Sequence, residues 1–146
     1  MATRISVKSA TQASAELEAA LARLLPQLNP TLSIPNRKQL RSLMSDEAST
    51  LLVARDGKAM VGTATVVLYT TAPHIKARIE DVVVDEAVRG KGVGEALVNE
   101  CISIARRRGA RVVELQSAPW REAANQMYPR LGFELRTTNV YRLNLE

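Results

Sequence analysis

The chain has 146 residues, 46% of them hydrophobic but only 3% aromatic, with one cysteine and a formal net charge of +5. This length holds one domain with an aliphatic core and leaves little for a second. The lone Cys101 rules out an intrachain disulfide and a cysteine-based zinc cluster, while the basic balance allows an acidic ligand or nucleic acid and identifies neither. No apolar run approaches the ~20 residues that span a membrane. Met1-Ala2-Thr3-Arg4 leads into strand-like Ile5-Ser6-Val7-Lys8 rather than a signal-peptide apolar region, so the expected location is cytoplasmic.

Taken in order, Arg4 to Ser9 alternates as a first strand. Ala13 to Leu28 then places Leu17, Ala20, Leu21, Leu24 and Leu25 on one helical face. Pro26 is expected to end or kink this helix. Asn29-Pro30 and Ile34-Pro35 bracket a loop, because a residue before proline is pushed out of the α region. A second helix over Asn36 to Met44 carries Leu40 and Leu43 inward. Thr50 to Arg55 and Lys58 to Tyr69 read as strands joined by a tight Asp56-Gly57 hairpin turn, and Lys76 to Val84 reads as the next strand after the Thr70 to His74 loop. No repeat, low-complexity stretch or linker marks a boundary, which predicts a single domain over residues 1–146.

The most informative stretch is residues 79–108. Ile79 to Val84 is a β-branched run, and a helix pattern follows from Val93 to Arg108. Between them, Arg89-Gly90-Lys91-Gly92-Val93-Gly94 sets glycines on alternate positions just before the helix. Glycine has no Cβ, so such a turn brings several backbone N–H groups close to a ligand. They lie beside the positive end of the helix dipole, with Arg89 and Lys91 adding charge, and a phosphate or pyrophosphate is the natural occupant. Arg106-Arg107-Arg108 falls in the last turn, where cations favour the negative end of the dipole, and Gly109 suits the residue after it. This accounts for the basic run without nucleic acid. Cys101 lies on the apolar stripe and reads as core packing.

Arg111 to Gln116 predicts another strand, Arg121 to Leu131 a last helix, and Phe133 to Arg136 with Val140 to Leu145 a closing hairpin in which Tyr141, Leu143 and Leu145 alternate inward. The order is β-α-α-β-β-β-α-β-α-β-β. This is a mixed α/β arrangement, with parallel pairing flanking the helix after the Gly-rich turn.

R-x-x-G-x-G after a valine-rich strand resembles the acetyl-CoA pyrophosphate signature of the GNAT superfamily of N-acetyltransferases. The stretch from Glu122 to Glu134 is similar to the family's A-x-x-x-Y-x-x-x-G-F segment, matched by Ala124, Tyr128, Gly132 and Phe133. Glu80 to Val84, EDVVV, also resembles the corresponding strand of glucosamine-6-phosphate acetyltransferases. The resemblance spans roughly Leu51 to Leu145. It implies a mixed, mostly antiparallel sheet with a central parallel pair, flanked by helices. It further implies acetyl transfer from acetyl-CoA to a primary amine, of a small molecule or a protein, by direct attack in a ternary complex.

On that resemblance the amides of Arg89, Gly90, Lys91, Gly92, Val93 and Gly94 hold the pyrophosphate, and the main chain of Val82, Val83 and Val84 pairs with the pantetheine. Asn125 contacts the pantetheine or adenosine side. Tyr128 protonates the leaving thiolate, since a phenol of pKa about 10 matches its basicity; the alternative is a helix tyrosine packed against strands. Glu80 serves as base or substrate anchor, with Asp81 the neighbouring carboxylate. Because strand side chains alternate, only one of the two is expected to face the acceptor cleft; the other reading of Glu80 is a salt-bridged surface carboxylate. Two positions depart from the pattern. Arg121 stands where an asparagine often precedes the tyrosine, and Pro129 directly follows Tyr128. The resemblance implies no metal, nucleic acid or membrane partner, and leaves room for a homodimer.

Two other readings compete. A Rossmann-like dinucleotide unit would use strand, Gly-rich turn and helix, with Glu114 as the ribose acid. The spacing is G-x-G-x-G, however, and the chain opens with a meander. A non-catalytic acetyl-CoA-binding or interaction module on the same fold is the other.

Overall fold

A computed structural model describes residues 4–146; Met1-Ala2-Thr3, read above as lacking signal-peptide character, lie outside the described residues. The chain divides into two compact units, residues 1–116 and residues 117–146.

The first unit is a five-stranded sheet in the order β1-β2-β3-β4-β5. Its strands are β1 Ile5–Ser9, β2 Ser49–Asp56, β3 Ala59–Thr70, β4 Ile75–Val84 and β5 Val112–Leu115. The pairs β1–β2, β2–β3 and β3–β4 are antiparallel, and β4–β5 is parallel. This is the mixed, mostly antiparallel sheet with a parallel pair that the resemblance implied, although among the described strands the pair stands at the edge of the sheet rather than at its centre. Between β1 and β2 lie α1 (Ala15–Leu28) and α2 (Arg37–Ser45); α3 (Val93–Arg107) joins β4 to β5. That crossover makes the parallel pair, because a strand can return parallel only by way of a long connection.

Local chemistry fixes the ends of the helices. The Ser14 hydroxyl accepts from the Leu17 N–H, capping α1. Asn36 and Gln39 form a reciprocal capping box on α2. Pro26 stays inside α1, two residues from its end, where its missing N–H removes one hydrogen bond and the helix neither stops nor loses its last turn. At the far end of α3, Arg106 and Arg107 lie in the last turn. Arg107 donates to Ser103 Oγ at 2.8 Å and Arg108 to the Glu47 carbonyl at 2.7 Å. These cations are occupied at the helix terminus, as the dipole argument expects.

The sheet is covered on both faces. Leu17, Leu21 and Leu24 of α1 and Leu40 of α2 pack on Leu51, Val53 and Val83. The intervening residues Leu52 and Ala54 are also buried and, by strand alternation, face the other way. On that side lie Val93, Leu97, Val98 and Cys101 of α3, all at most 2% exposed. Each leucine buried this fully contributes about 2 kcal/mol. Burial on both faces explains why β2 and β3 read as near-continuous apolar runs.

The second unit contains α4 (Glu122–Arg130). Pro129 is accommodated within its last turn, so Tyr128 keeps helical backbone. The expected closing hairpin is a correction: residues 133–146 form neither helix nor strand. Tyr141, Leu143 and Leu145 alternate as a strand would, yet are 88%, 83% and 92% exposed. Alternation marks a face; a strand also needs a hydrogen-bonded neighbour and a surface on which to bury that face.

Candidate active site

The Gly-rich turn lies where the dipole argument requires. After β4, Asp85 accepts from the Ala87 N–H and caps a single 3-10 turn, Glu86–Val88. Gly90 and Gly92 then adopt φ of +82° and +81°. A Cβ at either would meet nothing within 4 Å, so the left-handed backbone rather than crowding calls for glycine. Gly92 is the N-cap of α3 and supplies no side-chain acceptor. The first N–H groups of the helix are therefore left for an external acceptor. Gly62 on β3 sets the closeness of this helix. A Cβ there would come within 3.0 Å of the Val83 carbonyl oxygen, 3.1 Å of Leu97 Cδ1 and 3.2 Å of Val93 Cγ1.

The connection is tied down from α1. Arg23 forms an ion pair with Asp85 and donates to the Met60 carbonyl at 2.8 Å. The Gln27 side-chain oxygen accepts from the Glu86 N–H at 2.9 Å.

Just before the turn, β4 loses β5 on one side and slips in register against β3 on the other. Its parallel register with β5 ends at Ile79↔Leu115. Toward β3 the register slips: Thr65 pairs with Glu80 and Thr63 with Val83, so two residues, Asp81 and Val82, oppose Ala64 alone. This is a β-bulge, and Asp81 takes φ +53°, the one non-glycine described with positive φ. Aspartate is among the residues that tolerate this conformation best.

The bulge also alters the expected alternation of the two carboxylates. Glu80 pairs across the ladder with Thr65 and so shares its face of the sheet, where its carboxylate is ion-paired with Arg78. Asp81, displaced by the extra residue, lines a cavity of about 210 Å³ together with Thr63 and Thr65. A strict two-residue period would have put one of the pair on each face. As a whole residue Asp81 is exposed. Desolvation by the surrounding wall, with the charge of Glu80 beside it, still pushes its carboxyl above the usual range.

In the second unit, the Tyr128 ring meets Phe133 edge to face, 5.7 Å between centroids at 70°. The Asn125 side-chain amide donates to the Ala118 carbonyl at 2.9 Å, holding the loop before α4 rather than leaving its N–H₂ free. Cys101 is buried and its thiol is pushed up to about 12, in keeping with a packing role.

The model of the Acetyltransferase (GNAT) family matches residues 16–133. The chain belongs to this family. An uncharacterized N-acetyltransferase of Methanocaldococcus jannaschii is 45% identical over 58 residues, 40% of this chain and 26% of that protein. A glucosamine 6-phosphate N-acetyltransferase of Trypanosoma brucei is 36% identical over 77 residues, 51% of this chain and 50% of that protein. The chain thus spans half or less of the length of these curated relatives. Among solved structures, one described as a transcriptional regulator from Bacillus halodurans has a TM-score of 0.81 at 25% identity, covering 97% of this chain and all of that one.

Seen as a GNAT chain, its turn residues Arg89 to Gly94 and strand residues Val82 to Val84 are brought together at the end of β4. Three contributors were missed from sequence. The bulge at Asp81 had one signal, adjacent carboxylates inside an apolar strand. Gly62 had another, a glycine within a strand, which marks close backbone approach. The wall formed by Leu21, Leu40 and Leu51 had no chemical signature, since core and pocket leucines look alike in a sequence; only the family pattern, in which the two early helices border the acceptor site, pointed to α1 and α2.

Proposed function

We infer that the protein transfers an acetyl group from acetyl-CoA to a primary amine. The observation that carries this is the end of β4. There the strand parts from β5 beyond Ile79, is bulged away from β3 at Asp81, and runs into a glycine turn that leaves the N-terminus of α3 uncapped. An extended pantetheine would lie along the free edge of Val82 to Val84, with its pyrophosphate on the amides of Arg89 to Gly94. The GNAT match across residues 16–133 supports reading the whole chain as one such domain.

The chemistry follows from the carboxylates beside the bulge. An ammonium must lose a proton before its nitrogen attacks the thioester carbonyl. Asp81, with a carboxyl of raised basicity on the cavity wall, is the better placed acceptor of that proton; Glu80, held by Arg78, anchors the site beside it. The N–C bond forms, the backbone N–H near Val82 steadies the oxyanion, and the C–S bond breaks. Tyr128 gives its proton to the departing thiolate and regains one from solvent. Asn125 supports this segment through its bond to Ala118. The donor implies a cytoplasmic setting, where acetyl-CoA is available.

The test is thermal unfolding with acetyl-CoA, CoA, NAD and NADP, followed by thiol release with amines. A ligand at ~100 times its dissociation constant stabilises by about 2.7 kcal/mol. The expected result is a shift with both CoA ligands alone. A Tyr128→Phe variant should keep that shift and lose roughly 10²-fold or more in turnover. A shift with NAD alone would replace this reading by the dinucleotide one, and CoA binding without transfer to any amine by the non-catalytic module.

A further inference from the structure

The cavity beside Asp81 lies wholly within the first unit, between α1, α2 and the sheet. Its wall is unusually uniform for a site that handles a charged group. Leu21 and Leu25 come from α1, Leu40 and Leu43 from α2, and Pro35 and Leu51 complete the apolar surface. At the sheet end stand Asp81 and the hydroxyls of Thr63 and Thr65. Among the described lining residues Asp81 alone is charged, and none is basic. The remaining polar lining groups are Ser33 and Gln39, and the Gln39 side-chain oxygen already accepts from the Asn36 N–H at 2.8 Å.

We propose that the acceptor is a small primary monoamine on an apolar body, an arylalkyl- or alkylamine, with its ammonium on Asp81 and its body against the leucines. This rests on the acetyl-transfer reading above and names the substrate class for it. Size agrees: a cavity of about 150 Å³ accommodates benzene, so about 210 Å³ accommodates a ring with a short aminoalkyl chain. Charge agrees as well. One cation meets one carboxylate, whereas the second ammonium of a polyamine would find no second acid among the lining residues, and Glu80 nearby is already paired with Arg78. A sugar phosphate fits worse. Its dianion would approach Asp81 with no lining cation to neutralise it, and its hydroxyls would face alkyl side chains that cannot bond them. The T. brucei relative acts, by its name, on glucosamine 6-phosphate; the walls here are built for a different acceptor.

The decisive experiment uses the full chain and has two readouts. Calorimetric titration of 2-phenylethylamine, without any thioester, measures the cavity directly. Thiol release from acetyl-CoA with 2-phenylethylamine, spermidine, glucosamine 6-phosphate and a lysine peptide measures acceptor choice. Expected are saturable binding of 2-phenylethylamine, weakened about tenfold or more in Asp81→Asn, and a kcat/KM for it at least tenfold above the other three, of the order that a well-matched pocket provides. A Leu43→Ala variant should shift preference toward bulkier arylalkylamines, and a Leu25→Ala variant should do the same should the first fail to fold. Preference for the sugar phosphate, the polyamine or the peptide would overturn the substrate class while leaving acetyl transfer intact. Binding of the amine without thiol release from any acceptor would remove acetyl transfer, and with it a proposal that names its acceptor. No detectable binding of 2-phenylethylamine would overturn the proposal whatever the thioester does.

Discussion

Asp81 concentrates the site in one residue. It has a left-handed backbone in a β-bulge, a place on the cavity wall, and a carboxyl whose proton is held more tightly than usual through desolvation and the neighbouring Glu80. Because its folded-state pKa lies above the ordinary aspartate value of 3.8, the folded protein binds the proton better than the unfolded chain. Stability from this group is therefore greatest at low pH and declines as pH rises from about 4 through the raised value. Asparagine cannot ionise and tolerates the same backbone, so Asp81→Asn should be more stable than the parent at pH 7 and close to it near pH 4 in urea titrations. The same change should lower transfer by about 10²- to 10⁴-fold, the usual contribution of a general base. At Cys101 the prediction concerns reactivity. With its thiol pushed up to about 12 and its side chain buried, it should resist maleimide at pH 8 in the native protein and react at once in urea.

Among the elements, α3 and β4 cooperate through Gly62. The helix can bring its N-terminus over the end of β4 only because β3 presents no side chain there. Gly62→Ala should cost about 1–3 kcal/mol, as overpacking of a close contact does, measured as a fall in the urea midpoint. It should also weaken CoA binding, because the first turn of α3 moves with Val93. The ties from Arg23 and Gln27 of α1 to Asp85 and Glu86 act on the same connection from the other side. Two helices and a strand thus determine where one glycine turn stands.

Over the whole molecule, the excess of Lys and Arg gives a charge of +5. On the proposed function, a polyanion such as CoA would feel that field in addition to the amides of one turn, and added salt would screen it. Affinity for CoA should therefore fall as salt is raised from 50 to 500 mM, while binding of a monoamine against one carboxylate and an apolar wall should change less. Titration of the two ligands across that range checks the contrast.

The sequence by itself determined the elements. Hydrophobic period, caps and turn residues are local physics, so β1 to β5 and α1 to α4 begin and end close to where composition predicts, and Gly90, Gly92 and the dipole of α3 are readable without a fold. Even Pro26 and Pro129 are local: both fall in last turns, where Pro26 does not end α1 as expected and α4 runs on through Pro129 to Arg130. What only tertiary structure decided is whatever depends on a partner across space. Residues 133–146 have a strand's alternation and form no strand, since a ladder needs a neighbour. The choice between Glu80 and Asp81 follows no one-dimensional period, because a register slip against β3 inserts one residue and turns the second carboxylate toward the cavity. The cavity beside Asp81 is likewise invisible in the chain. Leucines that fill a core and leucines that line a cavity obey the same periodicity, and only packing decides where a gap of about 210 Å³ is left between them.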